Sequence, residues 1–189
     1  NLSAKQLMHP LLVTQVKDAL EKTALDPYFL KLEVTESTVM EHSETALNVL
    51  SELRKLGVRL STDDFGTGFS SLSYLHRFPF ERLKIDRSFI NKMDCEAKSG
   101  EIVRTILMLA QNLNIETVAE GVETPEQLRQ LIALGCNLGQ GYLFSKPVTA
   151  ADAGKLIKDG LPPAIPELKI SYVQAGLAQD NFIKIENLQ

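Results

Sequence analysis

The sequence predicts an α/β fold of the TIM-like (β/α)8 barrel type. Segments with a helical repeat alternate with short apolar segments of strand length, the pattern of βα units around a parallel sheet. Residues suited to oxygen chemistry recur where those strand segments end: Asn1, Glu33, Asp63, Asp64, Lys84, Glu120 and Gln140. In parallel barrels such strand ends converge on one mouth, which carries the active site. Finally, 189 residues with 44% hydrophobic content suffice for one domain with a real core.

The elements follow in chain order. Pro10 suits a first helical position, and Leu12, Val16 and Leu20 repeat every fourth residue, predicting a helix to about Lys22. Tyr28 to Val34 reads as a strand. Ser43 can cap a helix whose apolar face is Ala46, Leu47, Leu50 and Leu53, with Gly57 placed to end it. Val58 to Thr62 is the next strand, a short helix is expected around Leu72 to His76, and Arg82 to Ile85 forms a short strand. Ile102, Val103, Ile106, Leu107, Ala110 and Leu113 make a helical stripe that Asn114 can terminate before the strand Ile115 to Ala119. Thr124, Pro125 and Gln127 form a capping box with proline at the first helical position, and that helix stops at Gly135. A strand near Cys136 to Leu138 follows, and Thr149 opens a last helix ending by Gly160. After Leu161 the texture changes: Pro162, Pro163 and Pro166 form a linker, and Lys169 to Val173 and Phe182 to Ile185 have weak strand character. The expected organisation is a barrel over residues 1–160 and a tail over 161–189. A barrel spends about 31 residues per unit, so two units and most of a third are expected upstream of Asn1.

Composition excludes several classes. A formal net charge of -4 gives no broad basic face, so a DNA or RNA polymer is not an expected partner. Cys95 and Cys136 lack CxxC or Cys/His spacing, which disfavours a disulfide scaffold and a zinc site. His9, His42 and His76 share no ligand spacing. No apolar run approaches the ~20 residues of a membrane span, and a cytoplasmic location is expected, with tethering left to regions outside this chain.

Carboxylates joined by an amide, with no His or Cys among them, select a hard cation such as Mg2+ or Mn2+. Two such ions roughly 3.5–4 Å apart can hold a phosphodiester and activate water. Each residue alone has a plainer explanation. Asp63-Asp64 before Phe65-Gly66-Thr67-Gly68 reads as a turn, Lys84 as a solvated strand lysine, and Gln140 between Gly139 and Gly141 as a turn residue. Glu33 between Leu32 and Val34 is harder to dismiss, because a buried carboxylate needs a partner or a metal. Glu120 poses the same problem. The Asp64-Phe65-Gly66 triplet lacks the other kinase motifs, and Gly66-Thr67-Gly68 lacks the third glycine of a dinucleotide site.

Several segments, in this order, resemble the EAL domain family of bacterial cyclic di-GMP phosphodiesterases: Asn1-Leu2-Ser3, Leu32 to Ser37, Asp63 to Leu72, Leu83-Lys84-Ile85-Asp86, Val118 to Thr124, and Gln140 to Phe144. The resemblance covers roughly Asn1 to Ala150. It implies a barrel of the EAL type and hydrolysis of cyclic di-GMP to linear pGpG with Mg2+ or Mn2+, two ions in all. Asn1, Glu33 and Asp63 would bind one metal, and Asp63 with Asp64 the second. Lys84 and Glu120 would orient or deprotonate the attacking water, the choice of base staying open, and Gln140 would help hold the water and metal shell. Glu123 would support the substrate-facing loop, and Glu36 would brace the loop from Phe65 to Ser73, which links the metal site to dimer contacts. A homodimer and an upstream sensory or GGDEF-type domain are implied partners. The Glu-Ala-Leu signature has no counterpart in this chain, and the isolated 189-residue chain is expected to show little or no hydrolysis because its barrel cannot close. The alternative function is a catalytically inactive receptor that binds cyclic di-GMP, and an inert dimerisation scaffold is the third possibility.

Overall fold

The computed structural model describes residues 1–41, 43–68, 72–159, 171–172 and 183–184. His42, the Phe69-Ser70-Ser71 part of the motif, Gly160 and the proline-rich linker lie outside the described residues. The tail beyond 161 is described at its two strands alone. The elements are α1 (Ala4–Leu7), α2 (Leu12–Thr23), β1 (Lys31–Thr35), α3 (Glu36–Glu41), α4 (Ser43–Lys55), β2 (Arg59–Phe65), α5 (Leu72–Arg77), β3 (Arg82–Ile85), α6 (Arg87–Ile90), α7 (Ala97–Asn112), β4 (Glu116–Glu120), α8 (Pro125–Ala133), β5 (Leu138–Gln140), α9 (Ala150–Asp159), β6 (Ser171–Tyr172) and β7 (Ile183–Lys184). They gather into two compact units: residues 1–84 with 113–115, and residues 85–112 with 116–189.

In the first unit β1 pairs parallel with β2, with Leu32 opposite Leu60, Glu33 opposite Ser61 and Thr35 opposite Asp63. β3 follows β2 in the sheet. Because strand side chains alternate, Val34 and Leu60 share the face opposite to Glu33 and Asp63. That apolar face belongs to a cluster with Leu7, Leu12, Val39, Ala46, Leu50, Leu53, Phe78 and Phe80. Leu50 and Leu53 are fully buried, each stabilising the unit by about 1.5–3 kcal/mol. Outside this core, Glu81 is clamped by Arg59 Nε at 2.7 Å and Arg54 Nη1 at 2.6 Å.

In the second unit β4 pairs parallel with β5, and β5 continues through antiparallel β7 to β6. Val118 and Leu138, directly opposite each other, are fully buried. Cys136 is buried too, and desolvation pushes its thiol up to about 11, so it is a protonated, inert side chain at neutral pH. Among the described residues no helix is long and apolar enough to cross a membrane.

The structure shifts several expected boundaries. Asp26 accepts from the Tyr28 N–H at 2.9 Å and closes a 3-10 turn over Pro27–Phe29, so the first strand starts at Lys31 instead of Tyr28. Helix α2 starts at Leu12, after Pro10, and Ser43 is the first residue of α4 instead of its cap. The second, fourth and fifth strands run on to Phe65, Glu120 and Gln140, beyond their apolar stretches. Backbone pairing continues where the side chains turn polar, so reading strand ends from hydrophobicity stops too early. Ile102, expected in the apolar stripe of α7, is 41% exposed, because at ~100° per residue it falls beside the face made by Val103, Ile106, Leu107 and Ala110. The capping box at Thr124 and Gln127, the strand Arg82–Ile85 and the helix after Thr149 match the sequence reading. Short α1, α3 and α6 had no period long enough to announce them.

Candidate active site

In the first unit the parallel register sets Glu33 and Asp63 on one face of adjacent strands, a single step apart. Lys84, from β3, reaches both. Its Nζ lies 2.9 Å from Glu33 Oε2 and 3.1 Å from Asp63 Oδ1, with side chains 7%, 8% and 19% exposed respectively. Two carboxylates sharing one ammonium carry a net charge of about -1 among largely buried side chains, where charge is felt strongly. Such a set favours a further cation over an anion.

Asp64 follows with φ 53, a left-handed conformation that aspartate tolerates better than most side chains. Its N–H donates to Asp63 Oδ1 at 3.1 Å, and its carbonyl accepts from the Thr67 hydroxyl at 2.8 Å. This turn ends β2 and changes the direction of the second carboxylate relative to a plain strand. Asn1 is exposed beside β1: Leu2 bridges Val34, and its N–H donates to the Glu33 carbonyl at 2.8 Å. Glu36, the first residue of α3, is buried and accepts from the Gly66 N–H at 3.0 Å through Oε2. It therefore touches the segment that sequence reading asked it to brace, at the part of that segment which is described.

In the second unit Glu120 and Gln140 end adjacent strands directly opposite one another. The Oε1 of Gln140 is buried with no hydrogen-bond partner among the described residues, leaving an acceptor for a water or a cation shell. Glu123 is exposed, and the structure involves its backbone: the N–H donates to Gln127 Oε1 at 2.8 Å. Val122 is held from two sides, donating to the Gln140 carbonyl at 3.0 Å and accepting from the Leu143 N–H at 3.0 Å. Gly141 makes that approach possible. A Cβ there would lie 2.1 Å from the Val122 carbonyl oxygen. Gly141→Ala is expected to lower stability by about 1–3 kcal/mol or more, the range for overpacking; an unchanged thermal midpoint would show that the two loops can separate freely.

Of the residues singled out from sequence, the structure thus joins Glu33, Asp63 and Lys84 in one unit and Glu120 with Gln140 in the other. It leaves the Glu123 side chain at the surface. Sequence reading gave Val122, Gly141 and the buried reach of Gln127 no role, since burial of a capping residue leaves no mark in the local pattern.

The donor set fits a hard divalent ion. Within the first unit Glu33 and Asp63 offer carboxylate oxygens, with no His or Cys side chain beside them.

The EAL domain family model matches residues 1–147. The cyclic di-GMP phosphodiesterase NbdA of Pseudomonas aeruginosa is 46% identical over 167 residues, covering 86% of this chain and 21% of that protein. The bifunctional diguanylate cyclase/cyclic di-GMP phosphodiesterase MucR of the same organism is 49% identical over 150 residues, covering 79% of this chain and 22% of that protein. The chain spans about a fifth of the length of these relatives. A solved PaMucR phosphodiesterase, c-di-GMP complex, is similar with a TM-score of 0.79 and 48% identity, covering 81% of this chain and 62% of the other. The Klebsiella pneumoniae BlrP1 manganese/cy-diGMP complex is similar with a TM-score of 0.70 and 37% identity, covering 75% and 36%. These likenesses bear out the α/β, TIM-like class expected from the sequence. With its family model matched over residues 1–147 and its strand-end carboxylates in the order the motifs require, this chain belongs to the EAL domain family.

Proposed function

We propose that the chain is part of a metal-dependent phosphodiesterase that hydrolyses cyclic di-GMP to linear pGpG. The observation that carries this reading is the Glu33–Lys84–Asp63 cluster in a chain of this family. Asn1, Glu33, Asp63 and Asp64 would hold Mg2+ or Mn2+, two ions when fully loaded. Bound there, the ions supply Lewis acidity to the phosphodiester and lower the pKa of bound water. The chain's own residues do the rest. Lys84 and Glu120 would orient or deprotonate the attacking water, Lys84 being suited to orienting it as an ammonium between two carboxylates and the Glu120 carboxylate to taking its proton, and Gln140 would help hold the water and metal shell. Glu36 holds the segment that starts at Gly66, and the backbone from Gly121 to Thr124 fixes the end of β4.

The manganese and cyclic dinucleotide in the BlrP1 structure, and the activity named for NbdA, support this reading. A homodimer, a cytoplasmic setting and an upstream sensory or GGDEF-type domain, the last prompted by the double name of MucR, belong to the same proposal. So does the division into a catalytic part over 1–160 and a tail over 161–189.

Incubating the full-length protein with cyclic di-GMP and Mn2+ or Mg2+ tests it. Linear pGpG should form, and chelation should stop its formation. Turnover that survives chelation would exclude metal dependence. Calorimetric binding with no product would assign a receptor in place of an enzyme.

A further inference from the structure

Gln127 is the third residue of α8 and completes the capping box with Thr124. The same device caps α1 with Ser3 and Gln6, and there it is exposed and local. Gln127 differs on both counts. It is 4% exposed, uncommon for glutamine, and its side chain spans two segments. Oε1 accepts from the Glu123 N–H at 2.8 Å and the Thr124 N–H at 3.1 Å, while Nε2 donates to the Ile90 carbonyl at 3.3 Å. Two donors at one end and a carbonyl at the other fix the orientation of the amide.

Ile90 ends α6, the short helix that follows β3, and Glu123 and Thr124 lie in the loop that follows β4. A second contact joins the same two segments. Gly121, with φ 71, rests against Arg87, where a Cβ would come within 2.6 Å of the Arg87 Cβ. The loop is also bound on its other side, through Val122, to the Gln140 carbonyl. Thus the residues after Glu120 are gripped from α6 by Gln127 and from β5 by Val122.

We infer that Gln127 is a positioning residue for Glu120 and Gln140: by tying the Gly121–Thr124 loop to the end of α6, it sets where the β4 end stands relative to β5. This rests on the proposed roles of Glu120 and Gln140. Misplacing a reacting group by about 1 Å costs up to roughly 100-fold in rate, so loss of the tie should appear in kcat.

Gln127→Glu isolates the effect. A carboxylate still accepts from the Glu123 and Thr124 amides and suits a helix N-terminus, but it cannot donate to the Ile90 carbonyl while ionised. In the full-length protein, assayed well below its thermal midpoint, Gln127→Glu is expected to melt several degrees below the wild type, because its buried carboxylate faces the Ile90 carbonyl oxygen, to lose roughly 10- to 100-fold in kcat, and to keep KM within about twofold. Amide hydrogen exchange at Val122 to Thr124 should quicken. A Gln127→Met variant, lacking both ends of the tie, should lose at least as much kcat. Unchanged kcat in Gln127→Glu would overturn the inference and leave Gln127 a helix cap. If the wild type shows no turnover, the proposed activity fails, and exchange decides the tie by itself: faster exchange supports it, and unchanged protection overturns it.

Discussion

Asp63→Asn is expected to reduce hydrolysis of cyclic di-GMP by at least two orders of magnitude while leaving the fold in place. In the proposed role of Asp63 as a metal ligand, removing its charge forfeits several kcal/mol of transition-state stabilisation, and each ~1.4 kcal/mol is tenfold in rate. Stability should hardly change, for a structural reason. Asp63 is the most exposed of the three clustered side chains, and Lys84 keeps its 2.9 Å contact with Glu33 after the substitution. The asparagine carbonyl can also take over the hydrogen bond from the Asp64 N–H. A thermal midpoint equal to or above that of the wild type, together with the rate loss, is the expected pair of results. Full activity would remove Asp63 from the reaction, and unfolding would make it a structural residue.

Lys84→Met should act the other way round, on stability first. The ammonium is shared by two carboxylates, and the Glu33 side chain is only 8% exposed. Deleting one partner of a buried ion pair costs about 3–5 kcal/mol. At the size of this chain that corresponds to a fall of roughly 6–20 °C in the thermal midpoint. Divalent metal should restore part of the loss, because an ion that binds the native state alone stabilises it by mass action. The midpoint of Lys84→Met should therefore climb more steeply with added Mn2+ than that of the wild type. A midpoint indifferent to both the substitution and the metal would show that Lys84 neutralises nothing.

The alternation of helical and strand periods was plain in the sequence, and so was the identity of the polar residues at the strand ends. Glu33 stood out because a carboxylate between Leu32 and Val34 has no cheap burial. The structure gives the resolution: Val34 packs into the core on one face, while Glu33 meets Lys84 on the other. Lys84, plausible as a solvated lysine by itself, is 5% exposed. Its environment depends on Asp63 and Glu33, 21 and 51 residues away, and local pattern carries no trace of it. Strand ends were misjudged where pairing outlasts hydrophobicity, as at Asp63 and Glu120. Gln127 was found for the right local reason, its capping box, yet its bond to Ile90 is a tertiary contact that a four-residue motif cannot encode.

In the proposed mechanism, carboxylates from separate strands hold a common divalent cation. Anomalous diffraction from Mn2+-soaked crystals of the full-length protein tests it most directly. A manganese peak is expected about 2.0–2.6 Å from carboxylate oxygens of both Glu33 and Asp63, the usual span for a hard cation with oxygen ligands. Crystals saturated with Mn2+ that show no peak touching either carboxylate would contradict it.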